Sequence, residues 1–291
     1  MRSQAPSLTI SPAPLTPEAF SPFGEVIQNP ATHDELDGNG QWRLQHQIAN
    51  QGSATKWLDV THMNNHYDRA SSRKAAKVVM NMFVCKPREL SAGKEHGKKV
   101  FRVGILERHP YTPQTFVPMG VGKEDKGTSY LVIVAPTLPA KSKTGQLNEK
   151  PYPAEKPQRK RSLKERLLGA RPSPYSNDHI PTTTTPSSQL PAPQRPKGTG
   201  MPDLQNLRAF IAKGDQAVTY GPGTWHAPMV VLGEKDIDFV VVQYANGVGN
   251  EDCQECELDT ADDDGLVVEV GLDCAADAVE AAKPGYMRAK L

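Results

Sequence analysis

The stretch "AVTYGPGTWHAP", Ala217–Pro228, decides how the rest of the chain is read. A strand-like run breaks at Gly221-Pro222-Gly223 and then presents Trp225 and His226. Glycine tolerates a positive φ and proline fixes its own φ, so the break predicts a sharp bend. That bend would aim His226 into whatever the neighbouring strands enclose. Just upstream, Gly214 and Asp215 predict a hairpin turn between "LRAFIA" (207–212) and "AVTYG" (217–221).

The neighbours read as β-structure. "KVVMNMFVC" (77–85), "KVFRVGILERH" (99–109), "TFVPM" (115–119) and "SYLVIVAP" (129–136) precede the stretch; "APMVVL" (227–232) and "DFVVVQYA" (238–245) follow it. Each is short, rich in Val, Ile, Phe or Tyr, and bounded by Gly, Pro or charged residues. Helical signals are few. Thr16 ahead of Pro17 in "LTPEAF" is placed to cap a short helix, and "CAADAVEAAK" (274–283) predicts a second. Many short strands with so little helix predict an all-β fold, a cupin-like antiparallel barrel or double-sheet jelly roll.

The chain has 291 residues, 37% of them hydrophobic, and a formal net charge of +1. That balance gives no global attraction to nucleic acid or to a membrane surface. No apolar run approaches the ~20 residues of a membrane helix, and "MRSQAPSLTISPAP" lacks the apolar centre of a secretory signal. The expectation is a soluble intracellular protein with no nucleic-acid or membrane partner. Charge is nonetheless uneven: Lys141 to Arg171 holds ten Lys/Arg against three Asp/Glu, and Glu251 to Asp277 holds eleven Asp/Glu with no Lys or Arg. Thirteen of the 26 prolines fall between Pro136 and Pro202. A segment of that composition buries too little apolar surface to offset the entropy of ordering it. The predicted organisation is therefore 1–139, the first part of the β-domain; 140–200, a disordered basic Pro-rich insertion; 201–250, the second part; and 251–291, an acidic C-terminal extension with a short helix and tail. The run "RKRSLKER" inside the insertion reads as a solvated charged loop.

Chemistry concentrates at two places. Gly214, Gly221, Gly223 and His226 follow the spacing G-x6-G-x-G-x-x-H, which resembles the second motif of cupin barrels. The partner motif, H-x-H-x4-E, is approximated by Glu107, His109 and Gln114 in "ERHPYTPQ". Residues two apart on a strand share a face, so Glu107 and His109 would look inward and Arg108 outward. Glu107, His109 and His226 are the candidate catalytic residues. Two imidazoles and a carboxylate would also suit a divalent first-row metal, with the same three as ligands. Gln114, Gly223, Thr224 and Trp225 are candidate substrate contacts, Trp225 as either a pocket wall or a packing residue. "CQEC" (253–256) has C-x-x-C spacing without a second pair, which predicts reduced, unligated thiols.

"LTPEAFSPFGEVI", "LERHPYTPQTFVPMG" and "PDLQNLRAFIAKGDQAVTYGPGTWHAPMVVL" followed by "DFVVVQ" resemble the successive signatures of the ureidoglycolate lyase family, over residues 14–27, 104–135 and 202–256. The resemblance implies a cupin-like β-barrel, usually a homodimer, that cleaves (S)-ureidoglycolate to glyoxylate and urea in allantoin catabolism, a late stage of purine metabolism. The chain departs from compact bacterial members by the 140–200 insertion, and by Gly221-Pro222 where those members often carry His-Arg.

The implied substrate has one carbon bearing a hydroxyl, a carboxylate, a hydrogen and a urea nitrogen. Cleavage needs a base for the hydroxyl proton and an acid for the departing nitrogen. Glu107, His109 and His226 would supply these transfers. Gln114 would bind the ureido group, and backbone N–H groups of "GPGTW" the carboxylate. Two rival classes fit the same fold: a metal-dependent cupin oxygenase or isomerase, and a non-catalytic metabolite-binding cupin. The missing second His of the first motif counts against one, the joint presence of Glu107, His109 and His226 against the other. Ala289, Lys290 and Leu291 resemble the peroxisomal import tripeptide, which predicts uptake by the import receptor into the peroxisomal matrix rather than a cytoplasmic location.

Overall fold

Strand Ser129–Ala135 organises the molecule, because both of its faces are covered. Tyr130, Val132 and Val134 pack into one apolar core and Leu131, Ile133 and Ala135 into another. All six are at most 1% exposed, which explains why "YLVIVA" is a continuous apolar run rather than an alternating one. The structure is a computed structural model that describes residues 1–33, 35–94, 98–122, 124–125, 127–141, 147–148, 189–259 and 265–271.

Three sheets stack in layers. The central eight-stranded sheet runs in the order Arg2–Gln4, Gln254–Asp259, Ile105–Arg108, Trp225–His226, Ser129–Ala135, Arg208–Lys213 and Ala13–Pro14, with Val230–Leu232 also paired to Ser129–Ala135. A five-stranded sheet faces it, in the order Gly24–Ile27, Ala217–Tyr220, Gln114–Met119, Ile237–Ala245 and Lys77–Cys85. Between them lies an aromatic core in which Phe20 meets Phe23, Phe210 and Tyr220 at ring separations of 5.7–6.1 Å. On the opposite side, a four-stranded sheet of Leu8–Ile10, Leu266–Val270, Lys99–Arg102 and Ser91–Ala92 closes the second core. This is the expected all-β, cupin-like class in its double-sheet form. Thr16 caps the one-turn helix Pro17–Phe20, accepting from the Ala19 N–H as expected.

Two sequence expectations change. Gly214-Asp215 does not close a hairpin: Arg208–Lys213 belongs to the central sheet and Ala217–Tyr220 to the facing one. Buried Gln216 manages the crossing, its amide donating to the Leu15 carbonyl and its own carbonyl accepting from Tyr130 Oη. The second change concerns the insertion. Residues 189–200, assigned to a disordered segment, pack against the β-domain, with Leu190 and Gln194 only 3% and 7% exposed. Residues 142–146 and 149–188 lie outside the described residues. Residues 251–259 and 265–271 of the acidic extension are likewise part of the fold. Gln254–Asp259 pairs with Ile105–Arg108, and alternation buries Cys256 and Leu258 while Glu255, Glu257 and Asp259 face solvent. The predicted helix 274–283 and the final tripeptide lie outside the described residues.

Segment 189–200 passes the Gly221–Pro222 bend, with Gln194 beside a polar cluster on the outer face of the five-stranded sheet. The Glu25 carboxylate accepts from Thr61 Oγ1 and the His62 N–H, pairs with His62 Nδ1 at 2.8 Å, and receives the Gln194 amide at 3.3 Å. Burial alone would raise the Glu25 carboxyl, but the bond and charge of His62, with Thr61, bring it below its ordinary 4.5. The Glu25 bond outweighs burial and lifts the His62 imidazole above its ordinary 6.5.

Two tests follow from this packing. Excision of 142–198 removes Gln194, Lys197 and Gly198 and should lower the urea midpoint well below that of a 142–188 excision, since each orphaned buried partner costs about 1–3 kcal/mol. For the ion pair, Glu25 contributes above its ordinary value and loses that contribution as acid protonates it. His62 contributes below its ordinary value and loses its share as pH rises through the raised folded value. The melting-temperature gap between wild type and His62→Gln should therefore be widest between pH 4.5 and 6.5 and shrink on either side.

Candidate active site

The bend at Gly221–Thr224 carries the chain from the five-stranded sheet back to the central one. Gly223 takes a positive φ of 75°, the left-handed region glycine occupies without strain. Gly221 is required for a different reason: a Cβ there would collide with the Pro193 carbonyl oxygen. The bend is sealed by its own backbone. The Gly221 N–H donates to Phe23, that of Gly223 to His109 and that of Thr224 to Gly221, at 2.8, 2.8 and 3.0 Å. These N–H groups are therefore committed to protein carbonyls, which removes them as the expected carboxylate cradle. Thr224 Oγ1 is committed as well, donating to the Phe23 carbonyl.

Beyond the bend, Trp225–His226 pairs antiparallel with Ile105–Arg108, in a register that sets Glu107 directly opposite His226. Cross-strand partners share a face, so both side chains point between the two large sheets. Gln114 and Tyr220 meet them from the facing sheet, where Gln114 stands opposite both Tyr220 and Gln243. Tyr220 stacks on the His226 ring with centroids 3.9 Å apart and planes 10° from parallel. His226 Nδ1 faces the Thr224 carbonyl at 3.0 Å, and Nε2 faces Gln114 Oε1 at 3.0 Å and Glu107 Oε1 at 3.4 Å. All three neighbours are acceptors, so in this arrangement the ring donates from both nitrogens.

His109 differs. Its Nδ1 lies 2.6 Å from the Asp252 carbonyl, which can only accept, so the proton sits on Nδ1. Nε2 is then a bare lone pair, and it is buried with no hydrogen-bond partner. The two imidazoles lie 5.6 Å apart, centre to centre. Burial, reinforced by the charge of His226, pushes the His109 pKa down to about 4. Burial would raise the Glu107 carboxyl, but the hydrogen bond and charge of His226, with the charge of His109, hold it at about 2. The site thus presents an ionised carboxylate, a neutral imidazole and a donating imidazole side by side.

A family model described as ureidoglycolate lyase matches residues 7–263. The Schizosaccharomyces pombe protein named ureidoglycolate lyase is 31% identical over 240 residues, covering 82% of this chain and 86% of that protein. Its Saccharomyces cerevisiae namesake is 30% identical over 251 residues, covering 81% and 86%. A bacterial namesake from Burkholderia mallei is 26% identical over 234 residues, covering 80% and 81%. The chain belongs to the ureidoglycolate lyase family.

Of the residues singled out in this family member, Glu107, His109, Gln114 and His226 converge. Gly223 shapes the bend, and Thr224 is used internally. Trp225 is a packing residue rather than a pocket wall: it is fully buried in the second core, on the face opposite Glu107, and its Nε1 donates to the Gly200 carbonyl. Arg108 does look away from Glu107, yet not into solvent. It is 3% exposed, and its guanidinium donates to the carbonyls of Gly198, Thr199 and Gly200 and to Gln254 Oε1. Sequence reasoning did not single out Tyr220, Gln243, Asp252 or Cys253 for the site. Tyr220 and Gln243 were findable from strand register. Asp252 acts through its carbonyl, and no side-chain pattern signals that. Cys253 Sγ stands 3.9 Å from Glu107 Oε2, which was unforeseeable while 251–291 was read as an extension. Burial and the charges of Glu107 and Glu255 push its thiol up to about 12.

Proposed function

We propose that the protein is a carbon–nitrogen lyase that cleaves (S)-ureidoglycolate to glyoxylate and urea in allantoin catabolism. The observation that carries the proposal is the pairing, in a member of this family, of Glu107 opposite His226 with the bare lone pair of His109 alongside. His109 Nε2 accepts the substrate hydroxyl proton as the carbonyl of glyoxylate forms and the carbon–nitrogen bond breaks. His226 gives its Nε2 proton to the departing urea nitrogen. Glu107, ionised, stabilises the charged His226 ring before transfer. Gln114 and Gln243, joined at 2.7 Å, supply amide groups complementary to the ureido end. Should a divalent metal be resident, Glu107 and His109 are the members of the predicted ligand set whose atoms are placed for it, and the ion would polarise the substrate hydroxyl. His226 fits that set less well, because Gln114 and Thr224 face its two nitrogens.

Purified protein given ureidoglycolate should release glyoxylate and urea in equal amounts. Ammonia without urea would point to an amidohydrolase instead. His226→Ala and Glu107→Gln should each lower turnover about a hundredfold, the scale for losing a general acid or its partner, with unchanged circular dichroism. A folded His226→Ala protein at wild-type rate would refute its role.

The protein also acts as a homodimer in this proposal. Strand Lys77–Cys85 is the edge of the five-stranded sheet, and its Val78, Met80, Met82 and Val84 are 52–68% exposed. An exposed apolar edge strand is a template for pairing with another chain. Met80→Glu with Met82→Lys should convert a dimer into a monomer by light scattering, and an unaltered dimer would place the interface elsewhere.

A further inference from the structure

Tyr67 is 2% exposed, and its hydroxyl lies 2.6 Å from Asp252 Oδ1. Asp252 is the residue whose backbone carbonyl accepts from His109 Nδ1. We propose that Tyr67 is a positioning residue: its hydroxyl anchors the Asp252 carboxylate, and the anchored Asp252 carbonyl fixes the tautomer and pose of the His109 ring. The effect on turnover rests on the lyase reading above; the effect on the ring does not.

The carbonyl is available because of where it stands. Asp252 ends the one-turn helix Gly249–Asp252, and the last carbonyls of a helix have no partner within it. A single helical turn is a poor anchor by itself. The Asp252 side chain supplies the anchorage by folding back. Its Oδ1 accepts the Asn246 N–H at 2.8 Å and its Oδ2 the Gly247 N–H at 2.7 Å. Tyr67 adds the bond from outside that turn, tying it to a distant part of the chain. The Tyr244 and Glu251 carbonyls also approach the hydroxyl, at 3.3 and 3.5 Å. The carboxylate is the closest acceptor and the stronger, so it takes the single proton. Burial and the bond to Asp252 raise the phenol well above its ordinary 10.0, so it stays a donor.

Tyr67 also braces the histidine from its other side. Its ring packs against Tyr111, two residues beyond His109, with centroids 5.6 Å apart. The neighbouring His66 N–H donates to the Tyr111 carbonyl at 2.9 Å. Segment 62–70 is held in turn at its head, where His62 pairs with Glu25 at 2.8 Å. One side chain therefore supports both the loop that leaves His109 and the carbonyl that holds its ring. An imidazole with one nitrogen bonded to a fixed carbonyl keeps the other nitrogen aimed at one place. Without the hydroxyl, Asp252 keeps two of its three donors, so the turn survives and the aim is lost. Small misplacements of a reacting group slow turnover steeply.

Tyr67→Phe removes only the hydroxyl and keeps the ring against Tyr111. Its control is Tyr130→Phe, which loses an equally short bond outside the site, to the Gln216 carbonyl at 2.6 Å. Both variants should melt earlier than wild type. Tyr67→Phe alone should cut kcat, about tenfold, with KM unchanged. The His109 Nδ1 proton, followed by NMR in the full-length protein, should exchange with solvent faster in Tyr67→Phe and at the wild-type rate in Tyr130→Phe. Asp252→Asn, which keeps the backbone carbonyl, should lower kcat likewise. Adding Tyr67→Phe to it should cost little more, because the two groups act along one chain. A kcat loss no larger than that of Tyr130→Phe overturns the positioning role, as does a rise in KM with kcat unchanged. Full additivity of the two variants, or an unaltered exchange rate, overturns it too. Faster exchange in Tyr67→Phe of a protein that releases no urea supports the positioning and refutes only the lyase reading.

Discussion

The guanidinium of Arg108 is the interaction on which the site depends. It lies buried, 4.4 Å above the Trp225 ring, and donates to three successive carbonyls, Gly198 to Gly200. A charge taken out of water this far is tolerable only when its donors are satisfied, and charge-assisted bonds to carbonyls in a fixed fork do that. The consequence is geometric. Arg108 sits between Glu107 and His109 in sequence, so anchoring it on one face of the strand fixes the other two on the opposite face. The same clamp holds the returning segment 189–200 and, through Gln254, the strand next door. A residue that sequence alternation assigns to solvent instead ties three separated parts of the chain together.

What the clamp creates is an electrostatic division of labour. The two imidazoles, 5.6 Å apart, have different partners, and those partners set the part each can play. Glu107 and Gln114 face His226 with acceptors, while Asp252 commits the single proton of His109 to the side away from the site. The facing tyrosine, Tyr220, keeps the donating ring flat against the core. A proton acceptor and a proton donor therefore stand ready together, which is what breaking a carbon–nitrogen bond next to a hydroxyl demands.

Much of this was legible in the sequence, for identifiable reasons. Strands such as 77–85 and 129–135 carry their own β-propensity and termini, and the E-R-H and W-H blocks put rare polar residues where apolar ones would otherwise pack. The failures have a common cause: long-range partners. Gly214-Asp215 looks like a hairpin because local signals cannot say which sheet each flanking strand will join. Residues 189–200 look like the prolines and charges before them because composition is averaged over a window, whereas Leu190 and Gln194 are buried one by one. Cys253 was set aside with an acidic stretch whose alternation, polar out and apolar in, is itself a strand signal.

The register of two strands, locked by Arg108, leaves His109 neutral with its proton on Nδ1 and its Nε2 bare. Nitrogen-15 spectra of the imidazoles read that state directly, with His109→Gln identifying the signal. At about pH 6, where an ordinary histidine is largely charged, the His109 ring should remain neutral and in the Nδ1–H tautomer. An imidazolium signal there, or a proton on Nε2, would contradict the account.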